Sequence, residues 1–355
     1  MSSGAPPQEV RFCRSADGTR IAYAVHGSGP PLLLTTCWLS HLEFDWESPV
    51  WRHFLLDLGG MATVIRYDER GFGMSDWDVS DFSLEARVAD LEAVVDAAGL
   101  DRCAMVGMSQ GGPVAITYAV RHPGRVSRLI LYGTYASRHL TDESAELEQT
   151  FQQLIKVGWA RPDSTFRRVF TQLMIPDASE EQAGWLDDLQ PLATSTDNAM
   201  RSRAARVTAD VSTLLPDVAM PTLVVHARGD RMMEFSEARE LASCIPHARL
   251  VTLDSDNHIT LADEPAWPVV VEEFAAFLAA EGLSAPSTPA ALRSLSGREL
   301  DVLRLVGQGR DNAVVAQELS LSVRTVERHL TSIYTKLGLT GRSARAAAVA
   351  RLFSG

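Results

Sequence analysis

The chain has 355 residues, 46% hydrophobic and 22% charged, with a net charge of −12 at pH 7. That length predicts two folding units, and the apolar share supports a sizeable core, which excludes global disorder. No apolar run approaches the ~18 residues that cross a bilayer and no basic leader with an apolar core is visible, so a cytoplasmic protein with no membrane partner is expected. Cys13, Cys37, Cys103 and Cys244 are scattered without a CxxC pair, so neither a disulfide framework nor a metal site is expected, and no cofactor.

The charge is uneven. From Leu295 onward nine Lys/Arg face five Asp/Glu, a balance of +4, which leaves −16 for the rest. An acidic body with a small basic end suggests that only the end meets an anionic polymer, although +4 alone decides nothing.

In chain order, "VRFCRSADGTRIAYAVHG" reads as a hairpin turning at Asp17-Gly18. "PPLLLTTCW" and "MATVIRYDERGFGMSD" are apolar runs ending in turn-rich loops, and "LEARVADLEAVVDAAGL" has helical spacing with a stop at Gly99. "CAMVGMSQGG" leads into a helix that ends at His122-Pro123, followed by the strand "VSRLILYG". "PTLVVHARGD" and "HARLVTLDSD" are later strands, separated by the helical "SEARELASCI". Short buried strands alternating with helices predict a mostly parallel sheet covered on both faces. Residues of about 137–215 break this rhythm and read as an inserted helical cap. Its Phe151, Trp159, Phe166, Phe170, Met174 and Trp185 are expected to pack a core before they line a ligand. The Ala/Ser/Pro-rich stretch 281–294 is the linker candidate, which predicts domains 1–280 and 295–355.

Gly107-Met108-Ser109-Gln110-Gly111 stands between an apolar run and a helix, where a tight turn projects the serine hydroxyl outward. A nucleophilic serine needs a base, and the base an orienting acid, in the chain order Ser, Asp, His. Asp230 at the end of "VVHARGD" and His258 in "TLDSDNHITLADEP" fit that order, with Asp254 and Asp256 as rival acids. On these residues, 10–280 resembles the α/β-hydrolase family, and "RYDERGFGMSD" resembles its strand-4 loop. The resemblance implies Ser109 as nucleophile, Asp230 as acid and His258 as base. It also implies an oxyanion hole from the backbone N–H groups of Trp38 and Gln110. Thr36-Cys37-Trp38 departs from the usual His-Gly-x of that loop, and a misplaced donor there costs ~10²–10³ in rate.

Near the other end, Val326, Leu330, Ile333 and Leu337 fall on one helical face, with Ser322 as N-cap. Arg324, Glu327, Arg328, Thr331 and Thr335 lie opposite, and "NAVVAQEL" forms a preceding short helix. Two short helices joined by a tight turn predict a helix-turn-helix. Leu295–Leu339 closely resembles the LuxR-type DNA-binding domain, through Gly297-Arg298-Glu299, Gly309, Asn312, Ala316, Leu319, Ser322, Thr325-Val326, His329 and Lys336-Leu337-Gly338. The resemblance implies a four-helix module whose third helix enters the major groove and whose last, "SARAAAVARL", pairs in a homodimer. Arg324 belongs to the expected contact face. Glu327, Arg328 and Thr331 would then face bases, while Thr325, Lys336 and Arg342 would hold phosphates.

The expected architecture is an α/β-hydrolase fold with a helical cap, joined to a small all-α helix-turn-helix domain. The expected function is regulation of transcription at double-stranded operator DNA. The hydrolase-like unit would sense an apolar small molecule bearing an ester, lactone or carbonyl group. A working serine esterase or lactonase carrying a DNA-binding tail is the alternative, and an inert dimerisation scaffold a third reading.

Overall fold

The protein is described by a computed structural model covering residues 8–35, 37–138, 142–163, 165–280, 295–307, 310–319, 321–339, 341 and 344–352. Thr36, Gly309, Arg342 and the linker candidate lie outside the described residues. Two compact units are formed. The first comprises residues up to 99 with 103–280, and the second chiefly those from 281 on.

The first unit is built on eight strands: β1 (Glu9–Arg14), β2 (Arg20–Gly27), β3 (Pro31–Thr35), β4 (Thr63–Tyr67), β5 (Cys103–Met108), β6 (Val126–Tyr132), β7 (Thr222–Ala227) and β8 (Ala248–Leu253). Their order is β1-β2-β4-β3-β5-β6-β7-β8. The β1–β2 and β2–β4 pairs are antiparallel and the rest parallel. The β1–β2 hairpin turns at Asp17-Gly18, as expected, with Gly18 at φ 90°.

Six helices surround the sheet: α1 (Leu42–Trp46), α2 (Arg52–Met61), α3 (Leu84–Ala97), α4 (Gly111–Arg121), and, after the cap, α9 (Phe235–Cys244) and α10 (Ala266–Ala279). Strand side chains alternate between faces. Leu32, Leu34, Val106, Ile130 and Tyr132 therefore share one core with Phe54 of α2 and Phe274 of α10. The intervening Gly107 faces Ala115 and Gly112 of α4. β5 and β7 are buried along their whole length, the signature of parallel strands covered on both sides. Helices α1, α2 and α10 have no counterpart in the sequence reading. "AWPVVVEEFAAFLA" is almost uniformly apolar along one half, which blurs the 3.6-residue period.

The expected cap is present as α5 (Asp142–Gly158), α6 (Arg167–Met174), α7 (Glu180–Ala193) and α8 (Thr196–Val207), followed by a 3₁₀ turn at Ser212–Asp217. Ser179 and Gln182 form a capping box that starts α7, and Ser195 caps α8. Trp159, Phe170 and Met174 are core residues, as expected, and Trp38 packs against Trp159 and Phe170 with ring centroids 5.5 Å apart in each pair. The loop after β4 holds the cap. Gly71 O accepts from Thr194 Oγ1 (2.6 Å) and Asn198 Nδ2 (3.2 Å), and Gly73 N donates to Ala193 O (2.7 Å). Gly73, at φ 51°, admits no side chain, because a Cβ there would lie 2.1 Å from Asp68 Oδ2.

The second unit packs α11 (Gly297–Gly307), α12 (Asn312–Glu318), α13 (Val323–Lys336) and α14 (Ala344–Leu352) around Val302, Leu303, Val315, Val326, Leu330, Ile333 and Ala348. No described helix is long and apolar enough to cross a membrane.

Candidate active site and nucleic-acid interface

Ser109 occupies the turn between β5 and α4 at φ 51°, the one described non-glycine residue with positive φ. Such strain persists only where the surroundings enforce it. Ser109 N donates to Tyr132 O (3.0 Å), and Ser109 O accepts from Thr134 Oγ1. The helix can start this close only because position 112 is glycine: a Cβ there would lie 1.9 Å from Thr134 Oγ1. Gly107 is confined too: a Cβ there would lie 2.9 Å from Ala115 Cβ. Gly112 and Thr134 were not singled out in the sequence. The doubled glycine after Gln110 was the available signal.

Asp230 follows β7. Its Oδ1 accepts from the N–H groups of Met232 (2.8 Å) and Met233 (3.0 Å), and its Oδ2 lies 2.7 Å from His258 Nδ1. Burial would raise the Asp230 pKa, but the neighbouring His258 and these donors outweigh it and hold the carboxyl below its ordinary value. The rival acids are elsewhere: Asp254 is exposed, and Asp256 is exposed and engages Arg231 at 3.5 Å. His226, also near Asp230 Oδ2 at 3.7 Å, bonds Met233 O (3.0 Å), and burial lowers its pKa.

His258 sits after β8 in a loop organised by Glu264, which accepts from Ser255 Oγ, Asn257 Nδ2 and Leu261 N. The cap reaches this loop too: His258 N donates to Met174 O (2.8 Å). Burial disfavours a charged ring here, yet the Asp230 carboxylate, with a smaller contribution from the Cys37 side chain, pushes the His258 pKa up to about 10. Nε2, the nitrogen that would receive a serine proton, has no hydrogen-bond partner among the described residues.

Trp38 and Gln110 line the same cleft as Ser109. The Gln110 side chain bonds Cys37 O (3.2 Å) and Glu69 Oε2 (3.1 Å), tying the loop after β3 to the serine turn. Ser109, Gln110 and Trp38 line one small half-open cleft, of about 30 Å³, with Tyr135, Arg138, Glu148, Arg203, Arg206, Val207, Met232 and Met233. The apolar lining expected for a ligand is therefore only part of the wall. Trp159 and Phe170 stay in the core, Phe151 and Trp185 pack against it partly buried, and Arg203 and Arg206 face the cleft instead. Neither Arg203 nor Arg206 was singled out in the sequence.

On α13, Ser322 Oγ accepts from Thr325 N (3.1 Å), the expected N-cap. Val326, Leu330 and Ile333 are buried, while Arg324, Glu327, Arg328, Thr331 and Lys336 are exposed and Thr325 is half-buried. Thr325 Oγ1 bonds Ser322 Oγ, and Thr331 Oγ1 donates to Glu327 O, so both hydroxyls are partly occupied within the helix. Lys336 Nζ lies 2.7 Å from Glu299 Oε2. Glu299 also accepts from Ser332 Oγ (2.6 Å) and Ser296 N (2.7 Å). Burial would raise its pKa, yet these donors draw it down to about 2. Arg298 reaches Leu319 O, and Arg345 reaches Asn312 Oδ1, so several residues that carry the LuxR resemblance hold the helices in register.

Residues 30–265 match the family described as alpha/beta hydrolase fold, and residues 293–349 match the bacterial regulatory proteins of the luxR family. The chain is 26% identical over 245 residues to a putative carbamate hydrolase of Pseudomonas savastanoi pv. phaseolicola, covering 68% of this chain and 91% of that one. It is 28% identical over 236 residues to a 2-hydroxy-6-oxo-2,4-heptadienoate hydrolase of Pseudomonas putida, covering 64% and 78%. In fold it is similar to an enol-lactonase from Burkholderia xenovorans, with a TM-score of 0.64, 22% identity and coverage of 76% and 100%. An esterase from Exiguobacterium antarcticum gives a TM-score of 0.65 at 20% identity, covering 77% and 100%. The chain belongs to the α/β-hydrolase fold family and carries a luxR-family helix-turn-helix domain in the same polypeptide.

Proposed function

We propose that this protein is a DNA-binding transcriptional regulator whose hydrolase unit receives a small molecule with an ester, lactone or activated carbonyl group. Occupancy of that unit would alter DNA binding. The observation that carries the reading is the joining of two distinct devices in one chain. One is a strained serine turn facing a cleft with a formed Asp230–His258 pair, and the other a helix-turn-helix with an exposed polar face on α13. A pocket fused to a DNA reader has a use for binding that turnover alone does not supply. In its DNA-bound form the protein acts as a homodimer, as two half-sites require.

Slow hydrolysis is compatible with this role. Ser109 Oγ would attack the carbonyl carbon while His258 Nε2 takes its proton, then returns it to the leaving alkoxide as the C–O bond breaks. Water would hydrolyse the acyl-serine in turn. The hydrolase names of the relatives favour the second reading, an esterase or lactonase that also binds DNA. The Asp230 carboxylate holds the His258 ring toward its charged form, which favours the first, since a protonated ring is no base.

The test is a selection from randomised duplexes with full-length protein, followed by mass spectrometry of small molecules retained on purification. A retained carbonyl compound that shifts affinity for the selected duplex supports the regulator. No sequence preference in folded protein overturns it.

A further inference from the structure

The cleft above Ser109 carries more positive charge than its own carboxylates neutralise. Arg203 is satisfied: it grips Glu148 through two bonds of 2.6 and 2.7 Å. Arg206 is not. Only 6% exposed, it approaches Ser202 Oγ at 3.4 Å and Glu69 Oε2 no closer than 3.8 Å, and its Nε has no hydrogen-bond partner. Glu69 is shared: its Oε1 lies 3.8 Å from the buried Arg87, and its Oε2 is already taken by Gln110 Nε2. Arg138, half-buried, adds a further cation to the same cleft and stands near enough to Arg203 to disfavour its charge. Three guanidinium groups, of Arg138, Arg203 and Arg206, thus line the cleft with one carboxylate, that of Glu148. Trp38 lies beneath Arg203 and Arg206, with guanidinium carbons 5.4 and 5.6 Å from its ring, and its own Nε1–H is buried without a partner.

A buried cation lacking a full partner is destabilising, and one left beside Ser109 suits recognition of an anion. We infer that the molecule received by Ser109 bears a carboxylate, which Arg206 and Arg138 bind while the ester or lactone carbonyl reaches the serine. The inference rests on Ser109 marking the ligand cleft, but not on hydrolysis or on any coupling to DNA. Burial brings the Arg206 pKa down to about 9, so the guanidinium is still charged at neutral pH. A carboxylate against it restores the balance that Glu69 supplies only at a distance. Arginine suits the task because its planar fork matches a carboxylate's two oxygens.

The probes are the monomethyl esters of succinate, glutarate and adipate, each paired with the neutral isostere in which the free acid is a carboxamide. Binding is measured by calorimetry on full-length Ser109→Ala, so that nothing is cleaved. At least one acid should bind about tenfold or more tightly than its carboxamide, the worth of a charge-assisted hydrogen bond. Adding Arg206→Gln with Glu69→Gln, which removes both charges together, should abolish the preference. Adding Arg138→Gln instead, at a half-buried site where folding is not at stake, should reduce it severalfold. Equal binding of acids and carboxamides overturns the proposal. So does failure of all six probes to bind, or an acid preference that neither variant reduces. A ligand that binds this way yet leaves DNA affinity unchanged would refute the regulator and leave the carboxylate site standing.

Discussion

At the level of single residues, the chemistry turns on His258. Its ring is held by Asp230 at 2.7 Å, and that neighbour both orients it and raises its pKa to about 10. A base acts only when neutral, so the neutral fraction falls tenfold for each pH unit below that value. Labelling of Ser109 by a fluorophosphonate should therefore climb about tenfold per unit from pH 6 upward and level off near pH 10. A plateau already reached at pH 7 would contradict the raised pKa. Asp230→Asn removes the orienting carboxylate while keeping the shape, and should slow labelling by roughly 10³–10⁴-fold. Ser109→Ala should abolish it. On the DNA side, Arg328 is an exposed guanidinium on α13, whereas Lys336 is already paired with Glu299. Arg328→Ala should cost ~1–3 kcal/mol of binding and relax one base position, read by competition with single-base variants of the selected duplex. Lys336→Ala should weaken all sequences alike and lower the melting temperature too, because it strips Glu299 of its cation.

At the level of elements, the Glu299 cluster joins the start of α11 to the end of α13. Its carboxyl is depressed from an ordinary 4.5 to about 2, so the folded state binds fewer protons than the unfolded one between these values. The stabilisation is fully present above pH 4.5 and is lost as pH falls toward 2. Glu299→Gln should cost about 2 kcal/mol at pH 7 and much less near pH 2, followed by melting of the second unit. A pH-independent loss would show that packing, not charge, sets its worth. Much of this was legible beforehand. The strands of the sheet, the cap between β6 and β7, Ser322 as N-cap and the buried stripe of α13 all follow from period and capping chemistry. Helices α1, α2 and α10 were not: α1 is too short to show a period, α2 carries Gly59-Gly60, and α10 is apolar over most of its length. The tasks of Gly112 and Arg206 were hidden for another reason. What confines the one is Thr134, 22 positions away, and what faces the other is Glu69, 137 positions away. Only the fold brings such pairs together.

At the level of the whole molecule, the central proposal is that the hydrolase unit and the helix-turn-helix report to one another. A ligand shifts DNA affinity only by its differential affinity for the DNA-competent and incompetent states. The cap is the candidate element, since it contributes Arg203 and Arg206 to the cleft wall and touches the His258 loop through Met174. Dimerisation is a second candidate, because half-site spacing depends on it. Covalent loading of Ser109 with a bulky phosphonyl group imitates an occupied cleft without requiring the natural ligand. The decisive measurement compares loaded and unloaded full-length protein for affinity to the selected duplex at one salt concentration. Unreactive Ser109→Ala, treated identically, serves as the control. A change of about 5–150-fold, the usual span of coupling between sites, is expected in the loaded protein alone. Equal affinity for loaded and unloaded protein would contradict the coupling and leave an enzyme that travels with a DNA-binding domain.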